Sequence, residues 1–384
     1  MKTLLIDATN IRTGGGVTHL MEILRSANPS NFGFSRVVVW SVNNTLLQLE
    51  DREWLVKRSA PALEKGYVYR MLWQYTKLAD IAKSENCDVI FIPGGTVITG
   101  FKPVVTMSQN LLPFEWKELF RFGVSITSLR LIALRWTQSN SFKNAQGTIF
   151  LTQYAKNIVQ NITGALPGKT SIIPHGIDQR FFKSPRTQKS IDTYSKEYPF
   201  RLLYVSIINT YKHQWHLAEA VAELYAQGFP IVLELIGPAY APALQRLQQT
   251  LKRIDPNGEC IRYLGEVPYH DLHNHYISAD LNVFASSCEN LPNILLEAMA
   301  AGLPIACAKR GPMPEALGDA GLYFNPEEPS SIVDAIRQLL IFPELRERLA
   351  HAAYDRALKY TWTKCADQTF DFLDQVCKNA ERNK

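Results

Sequence analysis

One sequence feature narrows the possible folds more than any other. A strand pattern runs into a glycine loop and then a helix, and a strand-and-helix series begins again halfway along the chain. Residues 3–7 form an apolar run. It leads through Thr13-Gly14-Gly15-Gly16 into a helical pattern from about Val17 to Ser26. Strand, glycine loop and helix in that order open a doubly wound domain. Further apolar runs follow at 36–42, 89–93, 104–109 and 148–152, with helical patterns between several of them. This alternation predicts a parallel sheet covered by helices on both faces. Residues 171–182 read as an extended connection. The stretch 183–199 is polar, without periodicity, and reads as the linker.

The series restarts at 201–208, a strand followed by an amphipathic helix at 214–226. Strands are expected at 231–237, 261–264, 281–285 and 304–308, with helices at 241–253, 271–278 and 292–300 between them. Residues 330–376 are nearly all helical in pattern. Two domains also fit the length, since a single core rarely grows past about 250–300 residues and the chain has 384. Hydrophobic residues at 46% and charged residues at 20% describe an ordinary globular protein, and a net charge of +5 gives no argument for nucleic acid. Six scattered cysteines without a C-x-x-C pair suggest neither a zinc site nor a disulfide framework. No apolar stretch approaches the roughly 20 residues of a membrane span, and Asp7 cuts the first apolar run short of a signal-peptide core. A cytoplasmic location is expected.

The chemistry concentrates in residues 286–311. A strand ends near Ser286, then Glu289-Asn290-Leu291-Pro292-Asn293 leads into a helix through Glu297. Pro292 suits the first helical position. A helix start after a strand presents free N–H groups and a positive dipole end, which bind phosphate. Glu289 before the helix and Glu297 within it can each grip a sugar diol.

The pair Glu289 and Glu297, followed by Ala298-Met299-Ala300-Ala301-Gly302-Leu303-Pro304, resembles the E-x7-E signature of the retaining GT-B glycosyltransferases of family 4 (group 1). The likeness extends over nearly the whole chain. Gly14-Gly15-Gly16-Val17 is similar to the family's N-terminal glycine loop. Ile173-Pro174-His175-Gly176-Ile177-Asp178 is similar to its interdomain segment, and Thr361-Trp362 to the start of its terminal helix. The resemblance implies the GT-B fold: two Rossmann-like doubly wound α/β domains facing across a cleft, with a C-terminal helix crossing back to the first. Residues 1–182 would bind the acceptor, 183–360 the nucleotide sugar, and 361–384 would form the returning helix.

By the same resemblance the donor is a nucleotide diphosphate sugar, GDP- or UDP-linked, used as substrate with no cofactor and no metal. Mannose, glucose or rhamnose would pass with retention to a glycan or lipid-linked acceptor in bacterial surface polysaccharide assembly. Glu289 would hold the transferred sugar, Glu297 the ribose and Lys212 the diphosphate. Gly15, Gly16, Asn290, Leu291 and Asn293 would complete the donor site. Two departures stand out. The family carries an Arg five residues before the Lys, and here that position is Ile207, leaving Lys212, the helix dipole, His213 or Arg310 to stabilise the leaving group. Many relatives have a His after the fourth strand, where this chain has Gln109 and Asn110. These amides either contact sugar hydroxyls or only close the strand, and His175 is either a site residue or a structural loop residue.

Several features fit less well. His270, His273 and His275 invite a metal, but 273 and 275 do not share a helix face. Lys117, Arg121, Arg130 and Arg135 stand among Phe120, Phe122, Leu129, Leu131, Ile132, Leu134 and Trp136. They form either a basic face that meets anionic lipid at the inner membrane or a core-packing helix with solvated arginines. The sequon at Asn161 has no meaning without a secretory route. Competing functions are a nucleotide-sugar epimerase, a dinucleotide oxidoreductase, which the absence of G-x-G-x-x-G opposes, and a non-catalytic subunit that binds sugar nucleotide.

Overall fold

A computed structural model describes residues 1–382. The chain divides into two compact units: residues 1–119, 124–176 and 361–384, and residues 120–123 with 177–360. The break falls between Gly176 and Ile177, inside the Pro-His-Gly-Ile-Asp segment.

The first unit is built on a seven-stranded parallel sheet. Its strands are β1 (Lys2–Asp7), β2 (Phe34–Trp40), β3 (Leu55–Arg58), β4 (Val89–Ile92), β5 (Val104–Met107), β6 (Gly147–Phe150) and β7 (Lys169–Ile172), in the order β3-β2-β1-β4-β5-β6-β7. Strands β4, β5 and β6 are buried along their whole length. Helices on both faces remove such strands from water, which is why they read as continuous apolar runs rather than alternations. The short strand β3 carries Lys57 and Arg58 and lies at the sheet edge, so it gave no apolar signal in the sequence.

The second unit holds a six-stranded parallel sheet. It comprises β8 (Phe200–Val205), β9 (Ile231–Ile236), β10 (Ile261–Tyr263), β11 (Leu281–Phe284), β12 (Ile305–Ala308) and β13 (Leu322–Phe324), ordered β10-β9-β8-β11-β12-β13. The helix expected at 214–226 spans Gln214–Ala226. Residues 183–199 are irregular apart from one 3-10 turn at Ile191–Thr193. The expected extended connection at 171–182 is broken. It contains the end of β7 and a 3-10 turn, Gln179–Phe181, started by Asp178, whose side chain accepts from Arg180 N–H.

In both sheets the chain winds one way for three strands and then reverses. The reversal leaves a crevice at the carboxyl ends of β1 and β4 in the first unit, and of β8 and β11 in the second. Open α/β sheets bind ligands at such switch points. The terminal helix, Trp362–Arg382, belongs to the first unit. There Lys2 pairs with Asp374 and Phe34 meets Phe370 edge-on at 6.0 Å. Gly176 lies so close to this helix start that a Cβ would come within 2.2 Å of Trp362 N.

Candidate functional site

The second unit's switch point joins Lys212 to Glu289, 77 positions apart in the sequence, and the helix that follows carries Glu297. Lys212 ends the turn after β8, and Glu289 lies in the loop after β11. The two are joined by an ion pair with side chains 6% and 15% exposed. The Lys212 ammonium also lies 5.2 Å from the Tyr211 ring and 5.7 Å from that of Phe284. The loop after β12 comes alongside, where a Cβ on Gly311 would stand 3.8 Å from Glu289 N.

The helix after this loop is Asn293–Ala300. Pro292 is its cap rather than its first residue, and its carbonyl accepts from Leu295 and Leu296 N–H. The proline ring fixes the extended entry that a cap needs. Asn290 and Leu291 are buried in the loop before it. Asn293 Oδ1 is buried and makes no hydrogen bond within the chain. Glu297 is buried in the second turn, and its two carboxylate oxygens accept from Tyr269 at 3.2 Å and Tyr276 at 3.3 Å. Desolvation outweighs these bonds and pushes its carboxyl up to about 7. The tyrosines were invisible to motif reasoning, because they come from the loop and helix before β11.

Ile207 stands after β8 with its apolar side chain 37% exposed. Of the residues expected to replace the missing cation, Arg310 is held by Asn325 at 3.1 Å and lies 3.9 Å from Glu327, which Arg121 also grips. His213 is buried, and desolvation, reinforced by Arg121, pushes its imidazole down to about 3. It is therefore neutral and brings no positive charge. Lys212 remains the cation paired directly with Glu289.

In the first unit, Gly14 adopts φ +70° and the helix Gly15–Ser26 follows. Gly16 sits against Gln109, and a Cβ there would meet Gln109 Oε1 at 3.2 Å. These two expected residues therefore meet at one place. Asn110 Oδ1 accepts from Leu112 N–H at 3.0 Å, a turn-closing bond. His175 is buried, with its Nδ1 2.8 Å from His19 Nδ1, and both rings pack edge-on or tilted against Trp362. Burial pushes His175 down to about 4. Its packing is that of a structural core residue. A polar cluster at the end of β1 went unnoticed in the sequence: Asp7 accepts from Thr9 and from Gln74 Nε2 at 2.6 Å. His270 lies 3.2 Å from Asp271, and among the described residues no three His, Cys, Asp or Glu side chains converge as metal ligands.

Comparison with known proteins agrees with this layout. Residues 186–356 match the family model "Glycosyl transferases group 1" and residues 13–181 match "Glycosyltransferase Family 4". The chain is 36% identical over 111 residues to an O-antigen chain mannosyltransferase B of Escherichia coli, covering 29% of each protein. The chain thus spans less than a third of that relative's length. The structure of Anabaena Alr3699/HepE in complex with UDP superposes with a TM-score of 0.69 at 18% identity, covering 96% of this chain and 98% of that one. The structure of WaaG, a glycosyltransferase involved in lipopolysaccharide biosynthesis, gives 0.69 at 16% identity, covering 97% and 99%. Two Rossmann-like parallel sheets, the Lys212–Glu289–Glu297 constellation at a switch point and these matches together make the chain a group 1 glycosyltransferase of the GT-B fold.

Proposed function

We propose that this enzyme is a retaining hexosyltransferase that moves a mannose-, glucose- or rhamnose-type sugar from a GDP- or UDP-sugar to a glycan or lipid-linked acceptor, in bacterial surface polysaccharide assembly. The observation that carries the reading is the Lys212–Glu289 pair at the β8/β11 switch point, with the helix that bears Glu297 starting beside it. Glu297 binds the ribose, Glu289 the transferred sugar and Lys212 the diphosphate. The N–H groups of Asn293 and Ile294 at the helix start add positive potential where charge develops on the leaving group. With Lys212 as that cation, the chemistry needs no metal. Because Glu289 is committed to Lys212, it is a poor nucleophile. Retention then follows from a front-face path: the C1–phosphate bond breaks, the acceptor oxygen bonds C1 from the same side, and its proton passes to the departing diphosphate oxygen. The first unit takes the acceptor, with Gln109 and Asn110 at its rim, while Gly15 and Gly16 close over the donor phosphates.

The test is incubation with GDP-mannose, UDP-glucose and dTDP-rhamnose, lipid-linked saccharides and EDTA. The expected product keeps the donor's anomeric configuration by proton NMR, at an unchanged rate with chelator; an inverted product or a metal requirement contradicts the mechanism. A second reading, a non-catalytic sugar-nucleotide-binding subunit, draws on the apolar Ile207. Donor binding without turnover is its signature.

The acceptor also bears on where the enzyme works, which we place at the cytoplasmic face of the inner membrane. Helices Tyr67–Ser84 and Ile126–Asn144 make crossovers in the same direction over the first sheet, β3 to β4 and β5 to β6, so they lie on one face. They expose Tyr67, Val68, Leu72 and Tyr75, and Ile126, Leu129 and Trp136. Lys65, Lys77 and Arg130 stand among these, and no acid occurs between Glu64 and Asp80 or between Glu118 and Asp178. An apolar face with basic residues among its exposed side chains suits anionic lipid. The protein is expected to float with vesicles containing phosphatidylglycerol and not with phosphatidylcholine alone. Leu129→Gln combined with Trp136→Gln should abolish flotation, and flotation with both vesicle types or neither would refute the assignment.

A further inference from the structure

His213 is buried in a left-handed conformation, φ +52°, at the residue that caps helix Gln214–Ala226. A side chain other than glycine is strained there, whereas glycine would adopt this backbone freely. The imidazole therefore needs an explanation of its own, and its hydrogen bonds supply one. Trp215 Nε1 can only donate, and it lies 3.1 Å from His216 Nε2. His216 Nε2 must then be the acceptor, so a neutral His216 carries its proton on Nδ1. That proton faces the Pro326 carbonyl at 3.0 Å and His213 Nδ1 at 3.2 Å. His213 Nδ1 is thereby an acceptor, and its own proton lies on Nε2, donated to Ser287 Oγ at 2.9 Å. Ser287 Oγ in turn donates to the Tyr211 carbonyl at 3.2 Å, alongside Ser287 N–H at 2.8 Å. Burial keeps both rings neutral, as the chain of bonds requires.

The series runs in one direction and ends by tying the loop that carries Glu289 to the turn that carries Lys212. We propose that His213 is a positioning residue: through Ser287 it locks the 286–290 loop to the 209–212 turn and so sets the Lys212–Glu289 geometry that receives the donor diphosphate and sugar. The diphosphate part rests on the donor-site reading above; the lock itself does not.

The experiment measures amide hydrogen exchange, imidazole nitrogen shifts and binding of UDP and GDP in the full chain, with His213→Gly, His213→Asn and Ser287→Ala. Glycine tolerates the backbone and asparagine tolerates it while keeping a donor. The expected wild-type spectrum shows His213 protonated on Nε2 and His216 on Nδ1. His213→Gly should raise exchange at 209–212 and 286–290 above that in the rest of the second unit, and weaken nucleotide binding about tenfold, the scale of one buried hydrogen bond. His213→Asn should restore both, and Ser287→Ala should add little to His213→Gly. Unchanged or uniformly raised exchange in His213→Gly, or His213 protonated on Nδ1, overturns the lock, even where nucleotide binding falls. If the wild type binds neither nucleotide while the exchange pattern holds, the lock stands and the donor reading fails.

Discussion

Glu297→Ala is expected to weaken nucleotide binding by about 10²-fold, and Glu297→Gln to remove its pH dependence. The carboxylate has two oxygens in one buried site, each within reach of a tyrosine hydroxyl. A ribose diol taking up those oxygens would make two charge-assisted hydrogen bonds, worth about 1.5–3 kcal/mol each before desolvation is counted. Burial, opposed by the tyrosine bonds, holds the folded carboxyl at about 7 against an ordinary value of 4.5. Affinity should therefore rise as pH passes upward through about 7, because the ionised form is the better acceptor. Stability runs the other way. Between 4.5 and about 7 the unfolded chain has already released the proton that the folded chain keeps. This group's favourable share of stability is thus complete below 4.5 and lost as pH rises through 7. Titration calorimetry across this range, with urea melts beside it, reads both. Flat affinity in the wild type would show that Glu297 does not meet the nucleotide.

Arg346→Met carries the largest expected cost in stability. Arg346 is fully buried. It donates to the carbonyls of Leu339, Leu340 and Lys189 and to Gln188 Oε1 at 3.2 Å, and lies 5.2 Å from the Phe200 ring. It thereby fastens the irregular 183–199 stretch to the end of helix Pro329–Ile341. Methionine keeps much of the volume but leaves those buried acceptors unpaired, at about 1–3 kcal/mol each. A loss of at least about 3 kcal/mol is expected, a fall of roughly 6–12 °C in the melting temperature for a unit of this size. A fall under about 2 °C would mean that water replaces the guanidinium.

What the sequence revealed, and what it hid, follows from where each signal lies. The strand series was legible because fully buried parallel strands such as Val89–Ile92 and Leu281–Phe284 are unbroken apolar runs. Leu55–Arg58 and Leu322–Phe324 are short edge strands with half-exposed residues, so they left no such trace. Glu289, Glu297 and Lys212 were legible as motif positions. Their surroundings were not: Tyr269 and Tyr276 reach Glu297 only through folding, and the bond between His213 and Ser287 joins two segments 74 residues apart. His213 in particular reads from sequence as a spare cation beside Lys212. Burial makes it neutral and turns it into a hydrogen-bonding link. His175, read as a possible sugar contact or a structural loop residue, packs with His19 and Trp362. No sequence rule links residues 19, 175 and 362.

The β8/β11 switch point of the second unit is expected to bind a nucleotide diphosphate sugar. Calorimetric titration with UDP, GDP, ADP and dTDP, without metal, tests it on the wild type, Lys212→Ala and Glu297→Ala. Specific binding of one nucleotide by the wild type is expected, weakened about 10-fold or more in Lys212→Ala by loss of a charge-assisted bond and further in Glu297→Ala, with all three proteins folded. Binding that survives both substitutions unchanged, or no binding of any nucleotide by folded wild-type protein, would contradict it.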